Sequence, residues 1–215
     1  MTKREFLRYE VLNSLSVKLS SFGYKTSKAN FEFIKKTNFG WNKYQLVFLI
    51  RDDGWEIKSS LLIRFDTIEN LFHQISDFEK KYQKGTPTVG TSIEDLERLS
   101  SNSLSFQLSN ESQINAIVSD LFELFKNVAI PFFEAYNDLQ ALDEKLNSNP
   151  MDTSLTGDIF KGMKALIIAK LVKRENYDEL DKIYHSYYKY FANGFYLSGY
   201  QKLKELLNSN LTHLC

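Results

Sequence analysis

An α+β fold is predicted by one turn and one lasting change of hydrophobic period. Residues 41–65, WNKYQLVFLIRDDGWEIKSSLLIRF, alternate apolar and polar side chains on both sides of Asp53-Gly54, as the arms of an antiparallel hairpin do. Residues 3–22 and 67–82, on either side of that stretch, carry apolar residues at helical spacing instead. From residue 110 onward helical spacing persists and alternation does not return. The expected order is an N-terminal helix, an antiparallel three-stranded meander, a helix and a further strand, followed by a C-terminal helical bundle-like unit.

The first helix is marked by Leu12, Leu15, Leu19 and Phe22, with Gly23 where a helix ends in a left-handed residue. Residues 24–36 alternate around Phe31 and Phe33 and are expected to form the first strand of the meander, with Asn38 and Gly40 turning into the hairpin. With Asp53 and Gly54 as loop residues at positive φ, Ile50 faces Ile57, Phe48 faces Ser59, Leu46 faces Leu61 and Tyr44 faces Ile63. Those residues share one face, and a four-residue loop keeps the same parity. Asp66 and Glu69 have capping-box spacing, and Ile68, Leu71, Phe72, Ile75, Phe78 and Tyr82 form the stripe of the helix they open. Residues 84–102, including GTPTVGTS, read as a mobile loop in which only IEDLERLS could make a helical turn. Residues 103–109 alternate again through Leu104, Phe106 and Leu108.

In the second half, Asn110 and Gln113 cap a helix running through Ile114, Leu121 and Phe125 towards Pro131, which kinks it or opens the next. NSNPMD at 147–152 is a break. Beyond it are helices over about 159–172, from Asn176 with Glu179 in the capping position, and over about 195–207, with Gly194 separating the last two. The expected division is an α+β domain at 1–109 and a helical domain at 110–215.

A chain of 215 residues with 43% hydrophobic and 14% aromatic content can bury a substantial core. Basic and acidic residues balance at 27 each, so no global field favours nucleic acid or an anionic membrane, and nucleic acid is disfavoured as a partner. The single cysteine, Cys215, excludes an intrachain disulfide and zinc sites built on several cysteines. No run has the length of a membrane span, and MTKREFLRYEV lacks the apolar core of a secretory signal. A cytoplasmic, reducing location is expected.

No hydrolase elbow, phosphate loop or dinucleotide fingerprint occurs. His73, His185 and His213 stand apart without acidic or cysteine neighbours at ligand spacing. Lys161, Lys164, Lys170, Lys173 and Arg174 read as a solvated face whose last members complement a helix dipole. In the segment from Asp52 to Lys58, Asp53 and Glu56 have the chemistry to hold magnesium, and Lys58 could activate water. The expected ladder, however, sets Arg51 opposite Glu56 and leaves both aspartates at the hairpin tip. Surface charge is therefore the favoured reading, and no catalytic, cofactor or metal residue is assigned. The tyrosines exceed what one helical stripe can bury. Core packing is favoured for most, and Tyr184, Tyr187, Tyr188, Tyr190, Tyr196 and Tyr200 are the candidates for a partner surface. The expected function is non-catalytic binding of another protein; self-association through the tyrosine face is the other arrangement considered.

Two family resemblances accompany these residues. The Asp followed by Glu-x-Lys, in an α-β-β-β-α-β order over about the first half, resembles the PD-(D/E)xK nuclease-like superfamily. It implies a magnesium-dependent nuclease using Asp53, Glu56 and Lys58, although in that superfamily the aspartate lies at the far end of the preceding strand. The corner Phe22-Gly23-Tyr24-Lys25, the Phe31-Glu32-Phe33 strand and the 45–64 hairpin resemble a group of small bacterial domains of unknown function. That likeness covers roughly the first 110 residues and implies an immunity- or defence-associated protein that binds another protein. It transfers no functional residue.

Overall fold

Thr2 opens the first helix. Its hydroxyl accepts the Glu5 backbone N–H at 3.2 Å while the Glu5 carboxylate accepts the Thr2 N–H at 2.7 Å, a reciprocal cap. α1 (Lys3–Ser20) buries Leu7, Val11, Leu12, Leu15 and Leu19. As expected, Gly23 follows with φ 82°, and the Tyr24 N–H reaches back to the Leu19 carbonyl at 3.3 Å. The computed structural model describes residues 2–96 and 104–210. It shows the α+β class, with an N-terminal helix, an antiparallel sheet and C-terminal helices. The end of the predicted 93–100 turn, Ser103 at the head of a predicted strand, His213 and Cys215 lie outside the described residues.

The sheet runs in the order β1 (Lys25–Ser27), β2 (Glu32–Lys36), β3 (Gly40–Arg51), β4 (Gly54–Phe65) and β5 (Val89–Ser92). β6 (Phe106–Leu108) also lies along β4, antiparallel, with Trp55 opposite Leu108 and Ile57 opposite Phe106. Residues 24–36 are thus two strands rather than one. They fold back through a turn in which Phe31 takes φ 53°, and Phe33 pairs with Thr26 on one side and Tyr44 on the other.

The central hairpin turns at Asp52–Asp53, one residue earlier than expected, and none of Asp52, Asp53 and Gly54 has positive φ. Glycine is needed at 54 for a different reason. A Cβ there would lie 2.2 Å from the Leu108 carbonyl oxygen, so the residue is bare to admit the β6 backbone. Moving a two-residue turn by one position preserves which side chains share a face. Tyr44, Leu46, Ile57, Ser59, Leu61 and Ile63 are accordingly buried, whereas towards the turn Phe48 is half-buried and Ile50 is 66% exposed.

α2 (Asp66–Phe72) stops ten residues short of the expected end, and α3 (Lys80–Gln83) is a separate turn. The predicted capping box does not form. Asp66 accepts the Arg64 Nε at 2.6 Å, and Glu69 faces inward to Lys164. The described part of the expected mobile loop, 84–96, instead contains β5, α4 (Ile93–Leu96) and the buried residues Thr88, Val89 and Ile93, and 97–102 lie outside the described residues.

The Asn110–Gln113 cap forms as expected, ahead of α5 (Ile114–Leu124). A π-helical turn, Phe125–Ala129, then leads into α6 (Ile130–Ala135). Pro131 has no N–H to give and its ring crowds the carbonyl four residues back, so a wider turn ahead of it keeps the helix going. The same turn carries Phe125 into the interior, with ring centroids 5.4 Å from Phe22, 5.1 Å from Tyr24 and 5.6 Å from Tyr44. α7 (Leu139–Asn147) is capped by Asp138, which accepts the Ala141 N–H at 2.8 Å. α8 (Gly157–Leu171), α9 (Tyr177–Tyr190) and α10 (Leu197–Asn210) follow. The expected Asn176–Glu179 cap is absent, because the Asn176 side-chain Oδ1 accepts the Arg174 Nε at 2.8 Å.

The chain divides into two compact units, Met1–Ile63 with Gly90–Ala135, and Arg64–Val89 with Tyr136–Cys215. This division is discontinuous in sequence and is drawn differently from a boundary at 109/110. In the first unit α1 packs on α5, and Tyr44 of the sheet donates to the Leu121 carbonyl at 3.2 Å. In the second, α2, α7, α9 and α10 all pack on α8, whose Ala165, Leu166, Ile167, Ile168 and Ala169 are buried without interruption. Among the described residues no helix is long and apolar enough to cross a membrane.

Candidate partner-binding surface

The three residues of the nuclease-like resemblance are each occupied by a neighbour. Glu56 accepts the Arg51 Nε at 2.8 Å, and this contact holds its carboxyl below the usual range. Lys58 lies 3.7 Å from the other oxygen of Glu56 and donates to Glu94 at 2.8 Å, a bond that raises the lysine. Asp53, in the turn, accepts the Ser109 hydroxyl at 3.1 Å. Among the described residues no group of three or more His, Cys, Asp or Glu could hold a metal ion.

The six candidate tyrosines separate into two sets. Tyr184, Tyr188 and Tyr200 are interior residues, corrected here from the surface role. Tyr184 donates to the Asn147 side chain at 2.8 Å, Tyr188 to the Ile159 carbonyl at 2.8 Å and Tyr200 to the Asp181 carboxylate at 2.7 Å. Burial pushes all three phenols up, so they remain protonated donors that bind the helices of the second unit together. Tyr187, Tyr190 and Tyr196 reach the surface, and they do so together.

They meet at the corner between α9 and α10. There the turn Phe191–Gly194 places three successive residues, Ala192, Asn193 and Gly194, at φ 48°, 53° and 79°. For Ala192 the left-handed conformation costs roughly 1–2 kcal/mol. The turn gathers an aromatic ridge. Tyr187 stacks on Phe191 at 5.0 Å, Phe191 on Tyr196 at 5.9 Å, and Phe195 meets Tyr196 edge-on at 5.0 Å. A concavity of about 700 Å³ on one flank is lined by Met151, Ile183, Tyr187, Tyr190 and Phe191, with Lys182. Another, of about 510 Å³, is lined by Phe72, Phe78, Phe160, Phe195 and Tyr196, with Ser76, Asp77 and Lys202 among its polar members. Phe195 is 77% exposed and Tyr190 71% exposed, values that packing within the unit does not explain for side chains of this size.

Beneath the second concavity is a buried polar cluster absent from the expectations. Glu69 is fully buried, with one oxygen 2.9 Å from the Lys164 Nζ, and Lys164 also donates to the Pro87 carbonyl at 2.5 Å. Arg64 donates to the carbonyls of Gln83 at 2.7 Å and Thr86 at 2.8 Å. Burial pulls Lys164 down against the opposing charge of Glu69, and burial likewise lowers His73 beside them. The basic residues of α8 therefore do not form one solvated face. Lys164 is buried, and so is Lys161, which donates to the Asn149 carbonyl at 2.7 Å and is pulled down to about 8 by burial. A sequence signal for this existed. Lys164, inside the run MKALIIA, must find a partner, because a helix that apolar is covered on every side; Lys161, one turn earlier, lies outside that run. No family model, curated protein or solved structure matches the chain, and the case for function rests on the residues just described.

Proposed function

We propose that this protein is a binding module whose second unit captures an apolar segment of another protein across the α9–α10 aromatic ridge. The observation that carries the reading is the exposure of Phe195 and Tyr190 on the flanks of a ridge held by a strained turn. Aromatic side chains beside concavities are the usual anchors of protein interfaces, since each buries a large area at small entropic cost.

The charges around the ridge indicate the partner's chemistry. Lys182, Lys189 and Lys202 are exposed around it; Lys189 lies 5.6 Å over the Tyr190 ring, and neither Lys182 nor Lys202 is in an ion pair among the described residues. Asp77 is the one carboxylate in the lining of the two concavities. An apolar segment bearing acidic residues complements that arrangement. A peptide-display selection on the whole protein is expected to enrich sequences with aromatic or aliphatic residues at helical spacing accompanied by Asp or Glu. Phe195→Ala and Tyr190→Ala should each weaken the selected peptides by about ten-fold or more. Selection of the same peptides with equal affinity by the double variant would remove the ridge as the site.

A further inference from the structure

The wall of the 510 Å³ concavity contains a hydroxyl at the end of a chain of hydrogen bonds that begins in the interior. Ser76 lines the concavity. Its Oγ is 2.8 Å from His73 Nδ1, and His73 Nε2 is 2.7 Å from Thr86 Oγ1. Thr86 Oγ1 in turn lies 2.9 Å from Glu69 Oε2, which is itself 3.6 Å from His73 Nε2. The other oxygen of Glu69 meets Lys164, and Arg64 donates to Thr86 Oγ1 at 2.9 Å.

The protons of this chain can be assigned from its partners. Thr86 has one hydroxyl proton and two oxygens within reach that only accept, the Glu69 carboxylate and the Gln83 carbonyl, each at 2.9 Å. The carbonyl is already served by Arg64, so the proton goes to the carboxylate, where the bond is charge-assisted. Thr86 Oγ1 then accepts from His73, which carries its proton on Nε2. The Nδ1 lone pair is left facing the Ser76 hydroxyl. Burial favours the neutral imidazole, with Glu69 opposing and Arg64 and Lys164 reinforcing it. Base, orienting groups and hydroxyl are therefore in the protonation states a nucleophilic serine requires.

We infer that Ser76 is the nucleophile of an acyl-transfer site, with His73 as general base, acting on carboxylic esters whose apolar or aromatic acyl part fits the phenylalanine-lined concavity. Ser76 Oγ attacks the ester carbonyl carbon and its proton passes to His73 Nδ1. The tetrahedral intermediate collapses with cleavage of the bond to the alcohol, which leaves with that proton. Water then attacks the acyl-serine, gives up a proton through His73, and releases the carboxylic acid. Lys202 is the cation in the lining of the same concavity, and a role for it at the developing oxyanion belongs to the proposal. Thr86 and Glu69 are positioning residues that fix the imidazole tautomer.

The inference does not rest on peptide capture, since a fluorophosphonate needs no partner protein. Treating the whole protein with that reagent at neutral pH and measuring its intact mass should show one adduct, mapped to Ser76. Ser76→Ala should abolish it, and His73→Gln should slow it by about a hundred-fold, the usual share of a general base. In the wild-type protein the labelling rate should rise with pH through an ionisation below 6.5, the ordinary value from which His73 is lowered. p-Nitrophenyl butyrate should be hydrolysed by wild type and not by Ser76→Ala. Absence of labelling, labelling elsewhere, or a wild-type rate that does not follow the imidazole would overturn the assignment while leaving peptide selection by the ridge intact.

Discussion

Glu69 shows how the same residue letters can serve two structures. Three residues after Asp66, it has the spacing of a capping box, and nothing within its own segment distinguishes that role from inward burial. What decides is Lys164, far along the chain on α8, and a pairing at that separation leaves no local pattern. The hairpin face was legible because alternation carries it, while Gly54 was read as a turn residue when its bareness admits the Leu108 carbonyl. Among the tyrosines, composition marked the cluster but could not separate the buried phenols of Tyr184, Tyr188 and Tyr200 from the exposed Tyr190. Glu69→Gln removes the counter-charge of a lysine that has almost no access to water and should cost about 3 kcal/mol or more in urea unfolding. Adding Lys164→Met should restore much of that loss, since a pair replaced on both sides leaves no orphaned charge. If the double variant is less stable than Glu69→Gln alone, the ammonium is held by its carbonyl partner and not by Glu69.

At the scale of elements, α8 and α9 meet more closely than ordinary side chains allow. Gly162 lies under Tyr184 and Tyr188, and a Cβ there would be 2.9 Å from a ring atom of each. Both rings are fully buried and hydrogen-bonded at their far ends, so neither can swing away. Gly162→Ala is expected to destabilise the protein by about 1–3 kcal/mol, despite alanine's better helix propensity, and to lower its melting temperature. An unchanged or raised melting temperature would show that α9 yields. Helices and strands with a sustained period were legible. The 24–36 segment was not, because two short strands and one longer strand share the same alternation until the turn at Phe31 is seen. The end of α2 was hidden for a similar reason, since its apolar stripe continues through Ile75 and Phe78 after the backbone has left the helix.

At the scale of the whole molecule, the interleaving of the two units constrains how the chain can be divided. Residues 110–135 belong with the sheet of the first unit, and Arg64–Val89 belongs with α7 to α10 of the second. A sequence boundary at 109/110 follows the change of period from strand to helix, but contacts follow burial, and α2 is buried against α8 from the other side of that boundary. A fragment of residues 110–215 would carry Lys164 without Glu69 or the Pro87 carbonyl, and would expose the side of α8 that α2 covers. Within the second unit, the unpaired buried charge and the uncovered side of α8 together oppose cooperative folding, whereas α5 loses α1 in either fragment and does not distinguish them. Residues 64–215 keep Glu69 and the Pro87 carbonyl for Lys164 and keep α2 on α8. The shorter fragment should therefore bind a hydrophobic dye and melt without a sharp transition, while the longer one shows a cooperative calorimetric peak. Cooperative melting of 110–215 alone would place the folding boundary at the change of period, and the Glu69–Lys164 pair would then be an accessory to a helical domain that forms without it.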